Sequence, residues 1–171
     1  MKKIGIITMH HVDNLGSILQ SYALQHKIEL MGYNAHIIDY RQHLQKQRKG
    51  LLHIFALFIL NAALGFPKQK FQKRLKLFRK SFYKCTTSHF TRENIKKECP
   101  TFDIYCTGSD QVWNPRYIGD DTSYMLDFAP IDKPRISYAA SFATDKIPDN
   151  LINSYVAALS KYQHITVREE V

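Results

Sequence analysis

Several side chains able to bind a sugar follow a short apolar run at 102–106, which is typical of a buried strand. They are a glycine, a hydroxyl, a carboxylate, a carboxamide and the only tryptophan of the chain, at Gly108, Ser109, Asp110, Gln111 and Trp113. Open α/β sheets bind ligands at the carboxyl ends of their strands. The polar groups can fix hydroxyls by hydrogen bonds, and the indole can stack on a sugar ring. In the structural alternative, Ser109 or Asp110 caps the next helix and Trp113 fills the core.

A second polar segment lies between the first apolar strand and the first long helix. Asn14, Gly16 and Ser17 stand at the start of this helix, with Gln20 one turn further on. Backbone N–H groups at a helix N-terminus, with the helix dipole behind them, favour an anion. The segment lacks the G-x-G-x-x-G fingerprint, so it predicts no nicotinamide cofactor.

The spacing of histidines and cysteines predicts no metal centre. His10 and His11 are adjacent, which is poor spacing for two ligands of one ion, so we expect a surface or packing role for each. The three cysteines, Cys85, Cys99 and Cys106, are odd in number and include no C-x-x-C pair. This pattern argues against both a disulfide framework and a zinc site.

Alternating strands and helices predict an α/β domain. With 171 residues and 44% hydrophobic content, the chain can form one domain with a buried core. We expect strands at 3–8, 35–40, 102–106, 135–140 and 164–167, and helices at 17–31, 71–82, 92–97 and 149–159. The first strand–helix–strand unit opens a parallel sheet. The pattern predicts a doubly wound, Rossmann-like sheet with its polar clusters at one edge and a helical insertion between the second and third strands.

The net charge of +9 belongs to this insertion. Between Arg41 and Glu98, fifteen Lys and Arg residues stand against two acids, which gives +13 and leaves −4 for the rest of the chain. Such a segment can meet phosphates of nucleic acid, anionic lipid or a nucleotide-linked substrate, or it can be a solvated helix face. Because aromatic and basic residues do not interleave as in RNA-binding motifs, we expect no nucleic-acid partner.

An apolar stretch at 51–66 is shorter than the ~20 residues that a membrane-spanning helix needs. It precedes a basic amphipathic helix at 71–82, and together they predict a helical hairpin or lid packed on the domain. Peripheral membrane contact through 51–84 is the alternative. The first apolar run ends at Thr8, too early for a secretory signal. We therefore expect a cytoplasmic location, at the inner face of the cell membrane if the insertion binds lipid.

Four motifs, in the same order, resemble those of polysaccharide pyruvyl transferases. They are NLGSILQSYALQ at 14–25, the segment 102–115 with its core GSDQVWN, SYAASF at 137–142 and ITVREE at 165–170. Leu15 stands where an aromatic residue is common in that family, and Ser17 stands where alanine is. The resemblance covers nearly the whole chain, and the basic insertion at about 42–98 is its least characteristic part.

The resemblance implies transfer of a pyruvyl group from phosphoenolpyruvate, the donor substrate, to a hydroxyl pair of a sugar in a cell-surface polysaccharide or its precursor, giving a pyruvate ketal. It also implies a two-lobed, GT-B-like architecture in which residues 1–171 form the N-terminal, acceptor-side lobe. The donor-binding basic residues and a catalytic histidine would lie in a C-terminal lobe beyond Val171. We expect the lobe alone to be inactive and to self-associate through its exposed cleft face. No cofactor or metal is implied.

Acceptor contacts are assigned to Asn14, Gly16, Ser17, Gln20, Gly108, Ser109, Gln111, Trp113, Ser141 and Arg168. Asp110 is the one carboxylate placed to act as a base, with a helix cap or loop brace as its alternative. Arg168 would contact an anion or pair with Glu169 or Glu170. The expected acceptor is a glycan or a nucleotide- or lipid-linked sugar. A non-catalytic glycan- or nucleotide-sugar-binding lobe and a GT-B-like glycosyltransferase are the other functions considered.

Overall fold

A computed structural model describes residues 1–42 and 68–169, which form a parallel sheet with helices on both faces. The strands are β1 (Lys3–Ile7), β2 (Asn34–Ile37), β3 (Ile104–Thr107) and β4 (Arg135–Ser137). They pair in the order β2-β1-β3-β4, and every pair is parallel. This sheet confirms the predicted α/β, Rossmann-like fold.

The four predicted helices occur in the predicted order, and the structure adds two short helices after β3 that were not predicted. Along the chain, the helices are α1 (Leu15–Leu30), α2 (Lys68–Phe82), α3 (Ile95–Glu98), α4 (Pro115–Ile118), a 3-10 helix (Thr122–Met125) and α5 (Asp149–Leu159). Gly32 follows the end of α1 with φ at +87°, the left-handed conformation that glycine adopts without steric cost. This confirms the predicted end of the helix.

Alternate residues of β1 face two different cores. Ile4 and Ile6 pack with Leu24 of α1 on one face of the sheet. Ile7 belongs to the larger core on the other face, which includes Leu151 of α5. A strand buried on both faces is typical of a parallel sheet covered by helices.

The basic helix α2 packs on α1 through aromatic side chains. The ring of Tyr22 lies 5.6 Å from the ring of Phe78 and 5.7 Å from that of Phe82, measured between centroids. This contact agrees with a helix packed on the domain. The other predicted half of the hairpin, at 51–66, lies outside the described residues. In the two described ranges, no helix is both long enough and apolar enough to cross a membrane.

The structure does not form the strand predicted at 164–167, and the strands predicted at 35–40 and 135–140 end earlier, at Ile37 and Ser137. His164 and Val167 each form a single isolated bridge, to Ile136 and Ala140 respectively, and no continuous ladder connects them. β4 itself ends at Ser137, so its neighbour has little regular strand to pair with. Ile165 and Val167 also stay 46% and 38% exposed, so the segment forms neither a fifth strand nor part of the core.

The chain leaves β1 and β3 in opposite directions along the sheet. β1 continues through α1 to β2 on one side, whereas β3 continues to β4 on the other. Adjacent strands whose connections diverge leave a crevice outside their carboxyl ends, where open α/β sheets bind ligands. The motifs around Asn14 and Asp110 both begin at this crevice.

Gly108, directly after β3, allows α1 to approach the sheet closely. A Cβ at this position would lie 2.7 Å from Leu24 Cδ2 and 3.2 Å from Ile6 Cγ2. We expect Gly108→Ala to lower the free energy of unfolding by about 1–3 kcal/mol through overpacking, measurable by urea denaturation. Because Leu24→Ala removes the clashing methyl group, the double variant should lose less than the sum of the two single losses. Strictly additive losses would contradict the steric explanation.

Candidate functional site

The two polar segments singled out in the sequence meet at the crevice between β1 and β3. The Ser17 hydroxyl, in the first turn of α1, donates a 2.6 Å hydrogen bond to Asp110 Oδ2. Both side chains are half-buried, although 93 positions separate them in the sequence. The fold thus brings the two motifs together around one carboxylate.

Asp110 holds an unusual backbone conformation, with φ at +94°. Its Oδ1 accepts a 2.8 Å bond from the Gln111 amide, and its carbonyl accepts a 3.0 Å bond from the Ser141 amide. Non-glycine residues rarely adopt positive φ, and such strain clusters at functional sites. A carboxylate has about four acceptor positions. The hydrogen bonds from Ser17 and Gln111 use two of them, so the remaining lone pairs can accept hydrogen bonds from ligand hydroxyls.

Gln20 connects α1 to the residue after β1 by hydrogen bonds next to the crevice. Its Nε2 donates to Thr8 Oγ1 at 2.9 Å and to the Ser17 carbonyl at 3.0 Å, and Thr8 Oγ1 donates to the Ser109 carbonyl at 3.0 Å. The Gln20 Oε1 atom is buried and has no hydrogen-bond partner among the described residues. A buried acceptor without a donor is costly, so a ligand hydroxyl at this point would satisfy it.

Thr8 was not predicted as a site residue. It is fully buried and its hydroxyl joins β1, α1 and the loop after β3 through Gln20 and Ser109. The signal was present, since Thr8 is a hydroxyl residue directly after the first apolar strand. Thr8 therefore holds Gln20 and the loop after β3 in place.

Asn14 and Gly16 serve the start of α1. Asn14 Oδ1 accepts bonds from the amides of Gly16, at 2.8 Å, and of Ser17, at 3.3 Å. This is an N-cap, which satisfies amides that otherwise lack an intrahelical partner. The Gly16 and Ser17 amides, which the sequence suggested as anion donors, therefore already donate to Asn14 in this structure.

Trp113 lies in the core and not at the crevice. Its side chain has no exposed surface, its Nε1 donates to the Tyr124 carbonyl at 3.2 Å, and its ring lies 5.3 Å from that of Phe142. A fully buried indole cannot stack on a sugar, so we place Trp113, with the buried Gly108, among packing residues and not among substrate contacts. This is the core position that the sequence left open as an alternative.

The other part of that alternative, a helix cap at Ser109 or Asp110, is not observed. The next helix, α4, begins after Asn114, whose Oδ1 accepts a 3.0 Å bond from the Arg116 amide. The Gln111 side chain accepts a 3.1 Å bond from Asn114 Nδ2. Asp110 therefore stays available at the crevice while Asn114 caps the helix.

Ser141 and Arg168 form a second cluster beyond β4. The buried Ser141 hydroxyl accepts a 3.0 Å bond from Arg168 Nη2 and donates to the Glu169 carboxylate. Desolvation of this carboxylate opposes ionisation, but the Ser141 bond and the Arg168 charge outweigh it, and the pKa of Glu169 is lowered. The Ser141 amide bonds the Asp110 carbonyl, so this cluster fixes the backbone of the proposed base.

His10 has the packing role expected for it. It is 3% exposed, and its ring nitrogens lie 3.1 Å from the Thr8 carbonyl and 3.0 Å from Asp39 Oδ1. Within the part of the chain that the structure describes, no three His, Cys, Asp or Glu side chains are grouped as a metal site requires.

Comparison with protein families gives one match that spans this site. Residues 14–171 match the family model described as "Polysaccharide pyruvyl transferase". Comparison with curated proteins and comparison with solved structures found no match. The matched segment contains Ser17, Asp110 and Ser141, which are the residues that the fold brings together.

Proposed function

Because the chain belongs to the polysaccharide pyruvyl transferase family, we propose that its crevice between β1 and β3 binds the acceptor sugar during pyruvyl transfer. The donor would be phosphoenolpyruvate, and the acceptor a sugar of a cell-surface polysaccharide or its precursor. The observation that supports the acceptor role is the Ser17–Asp110 contact, beside the unpartnered acceptor oxygen of Gln20. Acceptor oxygens of this kind suit the hydroxyls of a sugar.

The proposed reaction joins two hydroxyls of one sugar to the central carbon of phosphoenolpyruvate. A general acid protonates the methylene carbon, which becomes the methyl group, and the first sugar hydroxyl adds to the resulting oxocarbenium-like centre. The second hydroxyl then displaces phosphate. Two C–O bonds form and the bond to phosphate breaks. One hydroxyl proton balances the proton placed on carbon, and the other is taken by a base. We propose Asp110 as that base.

Stabilisation of the donor is proposed to come from elsewhere in the enzyme. Phosphoenolpyruvate carries a carboxylate and a phosphate, both of which need cationic partners. The groups assigned to the crevice are instead acceptors, the Asp110 carboxylate and the buried Gln20 carbonyl oxygen. We propose a GT-B-like arrangement in which a second lobe faces this sheet edge and supplies those cations. The reacting sugar would then lie between the two lobes.

Calorimetric titration tests the acceptor assignment. We expect a nucleotide-linked or free saccharide to bind without phosphoenolpyruvate, and Gln20→Ala to weaken this binding up to about tenfold through loss of hydrogen bonding. Gln72→Ala, which changes the same residue type on α2, is the control and should have no effect. Tight binding of phosphoenolpyruvate with no saccharide binding would place the donor in this domain and contradict the assignment.

A further inference from the structure

A separate pocket opens at the carboxyl ends of β1 and β2, with one wall from α2. Its volume is about 460 Å³, within the range of small-molecule sites. Its lining consists of His10, His11, Asp39, Arg41, Lys76, Arg79, Lys80, Tyr83 and Cys85. Four of these side chains are cationic and one is a carboxylate. Arg79 also pairs with Asp13, outside the lining, so the pocket has a net positive charge from the two lysines.

The carboxylate, Asp39, already has three hydrogen bonds with its neighbours, one with His10 and two with Arg41. Its oxygens lie 3.0 Å from His10 Nε2 and 2.8 Å from Arg41 Nη2. Burial of Asp39 opposes ionisation, but the hydrogen bonds from His10 and Arg41 outweigh it and hold the pKa of this carboxyl well below its usual range. Asp39 thus positions His10 and Arg41 and neutralises only one of the four cations.

Arg79 is fixed in place before any ligand arrives. Its Nη1 donates to the His11 carbonyl at 3.1 Å, and its Nη2 donates to Asp13 Oδ1 at 2.9 Å. The side chain is 20% exposed. A cation held by backbone and side-chain bonds loses little freedom on binding an anion, which favours affinity.

Two further cations, Lys76 and Lys80, have no ion-pair partner among the described residues. They are four positions apart on α2, so their side chains lie on the same face of the helix. Like charges at this spacing repel each other, and an anion in the pocket would remove that cost.

The ring of His11 has no hydrogen-bond partner among the described residues. Both of its ring nitrogens are buried. Burial lowers the pKa of His11 to about 4, and the nearby His10, Arg41 and Arg79 act in the same direction while Asp39 opposes them. The neutral ring can donate one hydrogen bond, and an adjacent anion would favour its protonation.

We propose that this pocket binds the phosphate groups of a diphosphate-linked acceptor sugar. Phosphate oxygens suit both the fixed guanidinium of Arg79 and the unpaired ammonium groups of Lys76 and Lys80. The pocket and the acceptor crevice lie on opposite sides of the β1 end, and neighbouring strands are about 4.8 Å apart. One sugar diphosphate can therefore reach both. The sugar part of this inference rests on the proposed function. The phosphate part rests only on the residues of the pocket.

Titration with inorganic pyrophosphate tests the pocket by itself. We expect binding that weakens as salt concentration rises, together with an upward shift of the His11 pKa seen by NMR. Lys76→Gln combined with Lys80→Gln should weaken pyrophosphate binding at least tenfold. The matched control, Lys70→Gln with Lys73→Gln, removes the same charge from exposed positions of α2 outside the pocket and should change binding less than threefold.

Further ligands identify the source of the phosphate. Tighter binding of a nucleotide diphosphate sugar than of pyrophosphate indicates a nucleotide-linked acceptor, and tighter binding of a polyprenyl diphosphate indicates a lipid-linked one. Absence of pyrophosphate binding, equal losses in both double variants, or preference for phosphoenolpyruvate would overturn the inference. Retained pyrophosphate binding without any saccharide binding would instead count against the acceptor role of the crevice alone.

Discussion

Trp113→Ala is expected to lower the free energy of unfolding by about 3–5 kcal/mol. The indole is fully buried between Phe142 and Tyr162, and its Nε1 bonds the Tyr124 carbonyl. Truncation would leave a large cavity and remove one of the two hydrogen bonds to the Tyr124 carbonyl, which keeps its 3.0 Å bond from Thr107 Oγ1. Since domains of this kind are stable by roughly 5–15 kcal/mol, such a loss leaves the protein close to unfolding. Urea denaturation followed by circular dichroism measures the effect without relying on tryptophan fluorescence.

Trp113→Phe separates packing from ligand binding. It keeps most of the apolar volume and loses the N–H donor, so we expect a clearly smaller loss than for alanine. Tryptophan fluorescence of the unmodified protein should not respond to saturating acceptor, because the only indole is shielded by the core. Strong quenching by the acceptor, together with a small stability loss for Trp113→Ala, would instead support the stacking role considered from the sequence.

Asp110→Asn is expected to lower the rate of pyruvyl transfer by about 10²–10⁴-fold, the usual contribution of a positioned general base. Asparagine keeps the size of the side chain and tolerates positive φ, so stability should change little. The measurement is the acceptor-dependent release of phosphate from phosphoenolpyruvate by the enzyme. Ser17→Ala is the matched control. It removes only the donor to Asp110 and should reduce the rate less than tenfold.

Asp110→Gly distinguishes a base from a loop brace. Glycine adopts φ of +94° freely, and the relief of about 1–3 kcal/mol of strain should offset the lost hydrogen bonds. We therefore expect this variant to be as stable as the original chain and nearly inactive. A variant that is unstable yet active would show that the carboxylate only braces the loop.

Local patterns predicted most of the fold. The helix at Asp149–Leu159 has the predicted bounds, and Gly32 ends α1 as expected from its position after the last apolar residue. Both depend on signals contained within a few residues. The segment at 164–167 alternates like a strand, but strand formation also needs a partner of matching length, and β4 ends at Ser137. The length of the partner strand is a property of the tertiary structure and cannot be read from the segment itself.

The candidate site was predictable in location and less so in detail. The order of strands and motifs predicted that Ser17 and Asp110 would approach the same edge. It did not distinguish the crevice from the core for Trp113, since a strand end borders both. The pocket around His11 was missed because three of its four cations come from α2 and its histidines follow β1. The spacing of residues within one segment does not indicate that these two segments lie close together.

The positive φ of Asp110 also bears on how this site can change during evolution. A left-handed backbone position accepts few residues at low cost, chiefly glycine, asparagine and aspartate. Single-nucleotide changes convert an aspartate codon into a codon for either of the other two. The replacements that the backbone tolerates best are thus those that delete the carboxylate. With Asp110 as the proposed base, drift at this position would yield relatives that keep the fold and the proposed sugar-binding crevice but not the reaction.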